Sequence, residues 1–238
     1  MYKRFLTLCL FTVAAVGCSI TSASAADIDI KLNTKVSKSK HSGSSKKPVA
    51  RGLTFGFTST ARTSASDSAS PIQTLSIKFD DQIRFNLSSK SIKTCKKKTL
   101  KSVDGCSKSS RLNSSGLATT VLFPISFDSG QPSDLFMHKA DKDTFYVLAS
   151  PQEVGLSAIV TGEITKSSVD GFGSEITLSF PSLPASAGSL AVLFQSLSLT
   201  TKKNFAKTTG CSGGSYQFAA TATFNDGEVQ ERTSTAKC

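Results

Sequence analysis

The sequence predicts an all-β protein: a single β-sandwich of about ten short strands, stapled by two disulfides. Three observations carry this expectation. Short runs alternate apolar and polar residues at period two, as in residues 72–86, where Leu75, Ile77 and Phe79 alternate with Ser76 and Lys78. Clusters of Gly, Asp, Ser and Pro punctuate these runs, and no stretch has an amphipathic helical pattern. The composition holds 16 Phe and no Trp, with abundant Ser and Thr. Phe, Val, Ile and Thr suit pleated surfaces with one buried face.

Taken in order, residues 1–26 read as a signal peptide. Lys3 and Arg4 open it, an apolar run follows at 5–16, and Ala23-Ser24-Ala25 places cleavage after Ala25 or Ala26. The apolar run is too short to span a bilayer comfortably, and no later run is long enough, so no transmembrane segment is expected. Ala15-Val16-Gly17 before Cys18 resembles a lipobox. That gives a second reading of export, a lipoprotein anchored through Cys18. Residues 27–51 are polar and rich in Lys and Ser, and are expected to form a disordered basic arm. The remaining residues, 52–238, form the β-sandwich domain.

Within that domain, strands are expected at 53–59 and twice within 72–86, where Asp80-Asp81 breaks the run. Another lies at 117–127, with Pro124 forcing an edge or a bend. Residues 135–137 and 145–149 form a pair, and 154–166 with 174–180 form a hairpin around 167–173. A long strand follows at 190–200. Residues 216–224 and 229–235 meet across Asn225-Asp226-Gly227-Glu228, whose Asp-Gly centre is a hairpin signal. The stretch 91–116 has no apolar periodicity. It reads as an exposed, basic excursion from the sheet.

Export sets the reading of the six cysteines. Cys9 and Cys18 lie in the signal, leaving Cys95, Cys106, Cys211 and Cys238, an even number suited to an oxidising compartment. Three pairings are open. Local loop closure favours Cys95–Cys106 and Cys211–Cys238. No Cys-x-x-Cys occurs and there are only two histidines, so neither a metal nor a cofactor is expected.

Formal net charge is +11, or +9 (11 − 2) without Lys3 and Arg4. The excess sits in two segments: residues 31–51, with seven bases and no acid, and residues 90–111, with eight bases against Asp104. Clustered positive charge attracts anionic surface polymers such as teichoic acid, lipopolysaccharide or lipid headgroups. The candidate binding residues are Lys96, Lys97, Lys98 and Lys101. No aromatic residue is interleaved with them, so no nucleic-acid partner is expected. Nothing in the sequence sets an oligomeric state.

Later features are similar to a group of uncharacterised secreted bacterial proteins, mostly from actinobacteria. These are a Cys, a Lys-rich loop and a second Cys (Cys95, Cys106), Thr161-Gly162, Phe172-Gly173, Phe180-Pro181, Cys211-Ser212-Gly213-Gly214, Asp226-Gly227 and a final Cys238. The chain departs from that group at Ser107, where a Pro is usual, and in keeping only Gly116 of a Gly-x-Gly. The resemblance implies export and disulfides and brings no catalytic residue.

Other chemistry has weaker carriers. His138 with Asp141 and Asp143 is the nearest approach to an acid/base or metal cluster. Glu163 and Glu175 are candidates to face each other as glycosidase carboxylates. Adjacent Asp80 and Asp81 point to opposite faces of a strand. No Gly-x-Ser-x-Gly marks a nucleophile, and no catalytic residue is assigned. The expected function is that of an exported, non-enzymatic β protein of the cell envelope or medium that binds anionic surface polymers. The alternatives are a hydrolase of envelope carbohydrate and a protein–protein interaction module.

Overall fold

The computed structural model describes residues 28–38, 43–61, 72–123, 130–151, 157–181, 191–203 and 205–238. The signal peptide, Cys18 and Pro124 lie outside the described residues. Described residues form strands and three short 3-10 turns, with no α-helix among them. The strands are β1 (Ile28–Val36), β2 (Val49–Arg51), β3 (Leu53–Ala61), β4 (Ile72–Asp80), β5 (Ile83–Phe85), β6 (Asn113–Phe123) and β7 (Gln131–Lys139). They continue with β8 (Thr144–Pro151), β9 (Ala158–Lys166), β10 (Phe172–Ser179), β11 (Ala191–Thr201), β12 (Ala206–Thr208), β13 (Ser215–Phe224) and β14 (Val229–Lys237).

Eleven strands make one antiparallel sheet in the order β1-β3-β11-β6-β7-β8-β9-β10-β4-β13-β14. A sheet this wide twists and folds back on itself, which buries one face and avoids two open edges. Phe55 on β3 packs edge-on against Phe79 on β4 at 5.8 Å between ring centroids, and Phe57 meets Phe180 at 6.0 Å. The closing edges, β1 and β14, are held together by Thr34 Oγ1 and Ser234 Oγ at 2.7 Å. The all-β class and both disulfides, Cys95–Cys106 and Cys211–Cys238, are as expected. The large sheet comes close to closing on itself.

Period-two alternation explains the buried face. On β4, Leu75, Ile77 and Phe79 are fully buried while Ser76 and Lys78 turn outward. Phe145, Val147 and Ala149 do the same on β8. Gly162 on β9 makes room for Phe145, because a Cβ there would lie 2.1 Å from its Cζ. A small sheet, β2-β12-β5, closes one end of the fold. Phe85 of β5 and Phe205 before β12 lie 5.1 Å apart and reach Phe79 and Phe145 of the inner face.

The expected disordered arm is corrected in part. Residues 28–36 are strand β1, paired along its length with β3, and residues 49–51 are β2. Ile30, Leu32 and Val36 are buried while Lys31 and Lys35 face solvent. Arg51 is also buried, donating from Nε to Thr208 Oγ1 and from Nη1 to the Ser37 carbonyl. The hairpin read around 167–173 forms with a shorter loop, 167–171, because β10 already starts at Phe172, and the one at 225–228 forms as read; Gly171 and Gly227 supply positive φ (83° and 88°).

Candidate functional site

The chain leaves β5 at Phe85 and does not re-enter the sheet until Asn113. The 27 residues between are the basic excursion. Its stems are tied to the sheet by backbone bonds: Asn86 N donates to Phe205 O, Cys95 N to Lys139 O and Leu112 N to Met137 O. Lys93 N to Ser109 O joins the stems to each other. Lys139 is buried and its Nζ donates to Ser89 O at 3.4 Å.

The segment is not a protrusion. It lies over the outer face of β7, β8 and β9, where Cys95, Leu100 and Leu148 form a second small core with Cys106, Phe136, Tyr146 and Ile159 packed against it. These outward-facing apolar residues need cover, and the stapled segment provides it. The disulfide closes the segment over a separation of 11 residues. Leu100 and Cys95 point down into this core, so Lys96, Lys97, Lys98 and Lys101 point out and are exposed. None of the four has an ion pair among the described residues.

Under this cap lies His138, 2% exposed, on the outward face of β7. Its Nδ1 is 2.8 Å from Ser110 Oγ, and Ser110 Oγ donates to the Ser107 carbonyl. With its one proton so used, Ser110 accepts from Nδ1–H, which leaves Nε2 unprotonated. Nε2 has no hydrogen-bond partner among the described residues. Burial first, then the Arg111 guanidinium and the Lys202 ammonium, lower the imidazole from 6.5 to about 4. His138, Cys95 and Cys106 bring one ring nitrogen and two sulfurs within 4.8 Å of one another. As a disulfide, the sulfurs are not thiolates and do not offer a metal its usual ligands.

A pH dependence follows. The folded imidazole titrates below its unfolded value, so the unfolded state binds more protons between those values. Stability is therefore present above pH 6.5 and lost as pH falls towards 4. We expect about 2 kcal/mol less stability at pH 5 than at pH 7 from this group. Urea melts at the two pH values test it. His138→Gln should flatten the difference, and an equal loss in that variant would refute the assignment.

Arg111 bridges the cap and the sheet. Its Nε donates to Asn113 Oδ1 at 3.2 Å, and its guanidinium sits 4.6 Å over the Phe136 ring. Asn113 is itself buried, donating from Nδ2 to Leu135 O and accepting from Met137 N, so its amide continues the β6–β7 ladder. Beside Arg111 is a cavity of about 160 Å³ lined by Ser91, Ile92, Ser109, Arg111, Leu112, Lys202 and Phe205. Lys202 arrives there because its backbone N–H donates to Leu112 O. Sequence reading missed Arg111 and Lys202 as a pair. They lie far apart in the chain and meet where β6 pairs with β11, Asn113 opposite Thr201, and Lys202 N–H bonds the Leu112 carbonyl.

The other candidates do not converge. Asp141 Oδ1 accepts from Lys142 N, and Asp143 forms an exposed ion pair with Lys142 at 3.7 Å, so neither carboxylate is engaged with His138. Glu163 is in register with Thr177, and Glu175 with Thr165 and Lys78. They are diagonal on an open sheet face, and Glu175 accepts from Ser76 Oγ. Asp80 is buried, accepting from Gln82 N and Gln217 N, a turn-forming role. Among the described residues the exposed large apolar ones are Val103, Leu117, Val169 and Val229, scattered over separate parts of the chain.

No helix among the described residues is long and apolar enough to cross a membrane. Comparison of the chain with protein-family models, with curated proteins and with solved structures finds no match in any of the three.

Proposed function

We propose that the protein is exported and holds anionic polymers of the cell envelope or its surroundings through the basic cap, without catalysis. One observation carries this reading. Residues 90–111 concentrate eight bases against one acid. The segment is pinned by a disulfide and a second core while Lys96, Lys97, Lys98 and Lys101 stay exposed. A fixed array of cations loses less conformational entropy on binding than the same lysines on a free tail. Its attraction falls as salt screens it, over about 8 Å at physiological ionic strength. A hydrolase has less support, because no carboxylate among the described residues lines the cavity beside Arg111, and Glu163 and Glu175 lie on an open face.

The test is retention on heparin or a glycerol-phosphate polymer, measured against salt. Each lysine near an anionic surface contributes about 1 kcal/mol at low screening. Changing Lys96, Lys97, Lys98 and Lys101 together to Gln should weaken binding at least tenfold and lower the eluting salt. Retention that is unchanged in this variant would overturn the proposal.

A further inference from the structure

We propose that Arg111 and Lys202 form a seat for a single phosphate or sulfate group, at the foot of the basic cap. The inference deepens the polymer-binding reading and rests on it for its biological ligand.

The geometry is that of an oxyanion site. Two cationic side chains from distant parts of the chain share one cavity of about 160 Å³, together with Ser91 and Ser109. Neither cation has a carboxylate partner among the described residues. Placing like charges side by side is unfavourable unless an anion joins them. Lys202 registers that cost: burial first, then Arg111, hold its ammonium below its ordinary range.

Arg111 is also held ready. Its Nε is committed to Asn113 and its plane is fixed over Phe136. The Nη groups have no hydrogen-bond partner among the described residues. A guanidinium fixed in this way offers its remaining N–H donors in a rigid fork that fits oxyanions. Both backbones meet at Leu112, whose N–H donates to Met137 and whose carbonyl accepts from Lys202. The cations therefore stand on the sheet and not on a loose loop.

The hydroxyls favour a tetrahedral group over a planar carboxylate. Ser91 Oγ lies 2.7 Å from Ser89 Oγ, and Ser109 Oγ lies 2.8 Å from Ser107 Oγ. In each pair the hydroxyl away from the cavity, Ser89 or Ser107, can donate to the one lining it, freeing the lining hydroxyl's proton for a ligand. Guanidinium, ammonium and two hydroxyls make four donor groups, which suits an anion with three or four oxygens. The cavity is several times the roughly 30 Å³ share of one water, enough for such a group.

The test uses the disulfide-intact mature chain titrated with inorganic phosphate, sulfate and acetate, followed by amide chemical shifts. Saturable phosphate or sulfate binding, tighter than acetate, is expected, with the largest shifts at Ser91, Ser109, Arg111 and Lys202. Lys202→Gln, at an exposed position, should weaken it at least tenfold. Arg111→Lys should do the same while keeping the charge. The variant carrying Gln at 96, 97, 98 and 101 should bind phosphate normally even as polymer retention falls. Absence of saturable binding, or wild-type affinity in a folded Lys202→Gln protein, would overturn the seat. Unchanged polymer retention with intact phosphate binding would instead sink the polymer reading alone. Competition by a glycerol-phosphate polymer against vesicles of anionic phospholipid assigns the source of the bound group.

Discussion

Replacing Phe79 with Ala should destabilise the fold by about 3–5 kcal/mol, the cost of deleting a buried aromatic ring and leaving the cavity behind. Phe79 is fully buried and touches three other rings edge-on: Phe55 at 5.8 Å, Phe85 at 4.9 Å and Phe218 at 5.7 Å. Those neighbours come from β3, β5 and β13, so one ring joins both halves of the folded sheet and the small sheet that closes its end. Edge-to-face pairs add to area burial. A loss of this size is a large share of the stability of a single domain. The check is a urea titration, in which the midpoint should fall steeply with an unchanged slope. A loss under about 1 kcal/mol would mean that the two faces do not meet there.

Removing the Cys211–Cys238 disulfide by changing both residues to Ser should cost about 3.5 kcal/mol, from the entropy of a closed loop. The two cysteines are separated by 27 residues, and between them lie β13 and β14. Among the described residues β14 has ladder bonds only to β13, so its other side depends on the approach of β1. The staple fixes the end of β14, next to the backbone bond from Cys238 N to Gly214 O. Without it, the seam between β1 and β14 should open first. Hydrogen exchange should then accelerate at β14 and β1 more than at β7 and β8. Uniform acceleration across the sheet would show that the seam is not an independent weak point.

The Cys95–Cys106 bond acts elsewhere. It holds a cap over apolar residues on the outside of the sheet, not the sheet itself. That separation lets the cap be probed without unfolding the barrel-like body. It is also why the cationic array can be rigid although its segment holds no strand and only two short 3-10 turns.

Much of the fold was legible because its signals are local. Alternation at 72–79 and the Asp-Gly turn at 226–227 each act over a few residues, and the structure follows them. Cysteine pairing was legible for the same reason: each bond closes the nearest available loop. β1 was missed because its average composition is polar. A strand with one buried face needs an apolar residue only at alternate positions, and Ile30, Leu32 and Val36 supply it among lysines and other polar residues. β2 and β12 have three residues each, too few for any period to show.

The sequence by itself determined the β class, the two staples, the hairpins and the concentration of positive charge between residues 90 and 111. Only the tertiary structure decided that the sheet curls until β1 reaches β14, and that the basic segment caps an apolar outer face. It alone buried His138 beneath that cap and brought Arg111 to Lys202. The reason is physical. Backbone alternation and loop closure depend on neighbours in the chain, whereas burial and the meeting of like charges depend on residues that only folding makes neighbours.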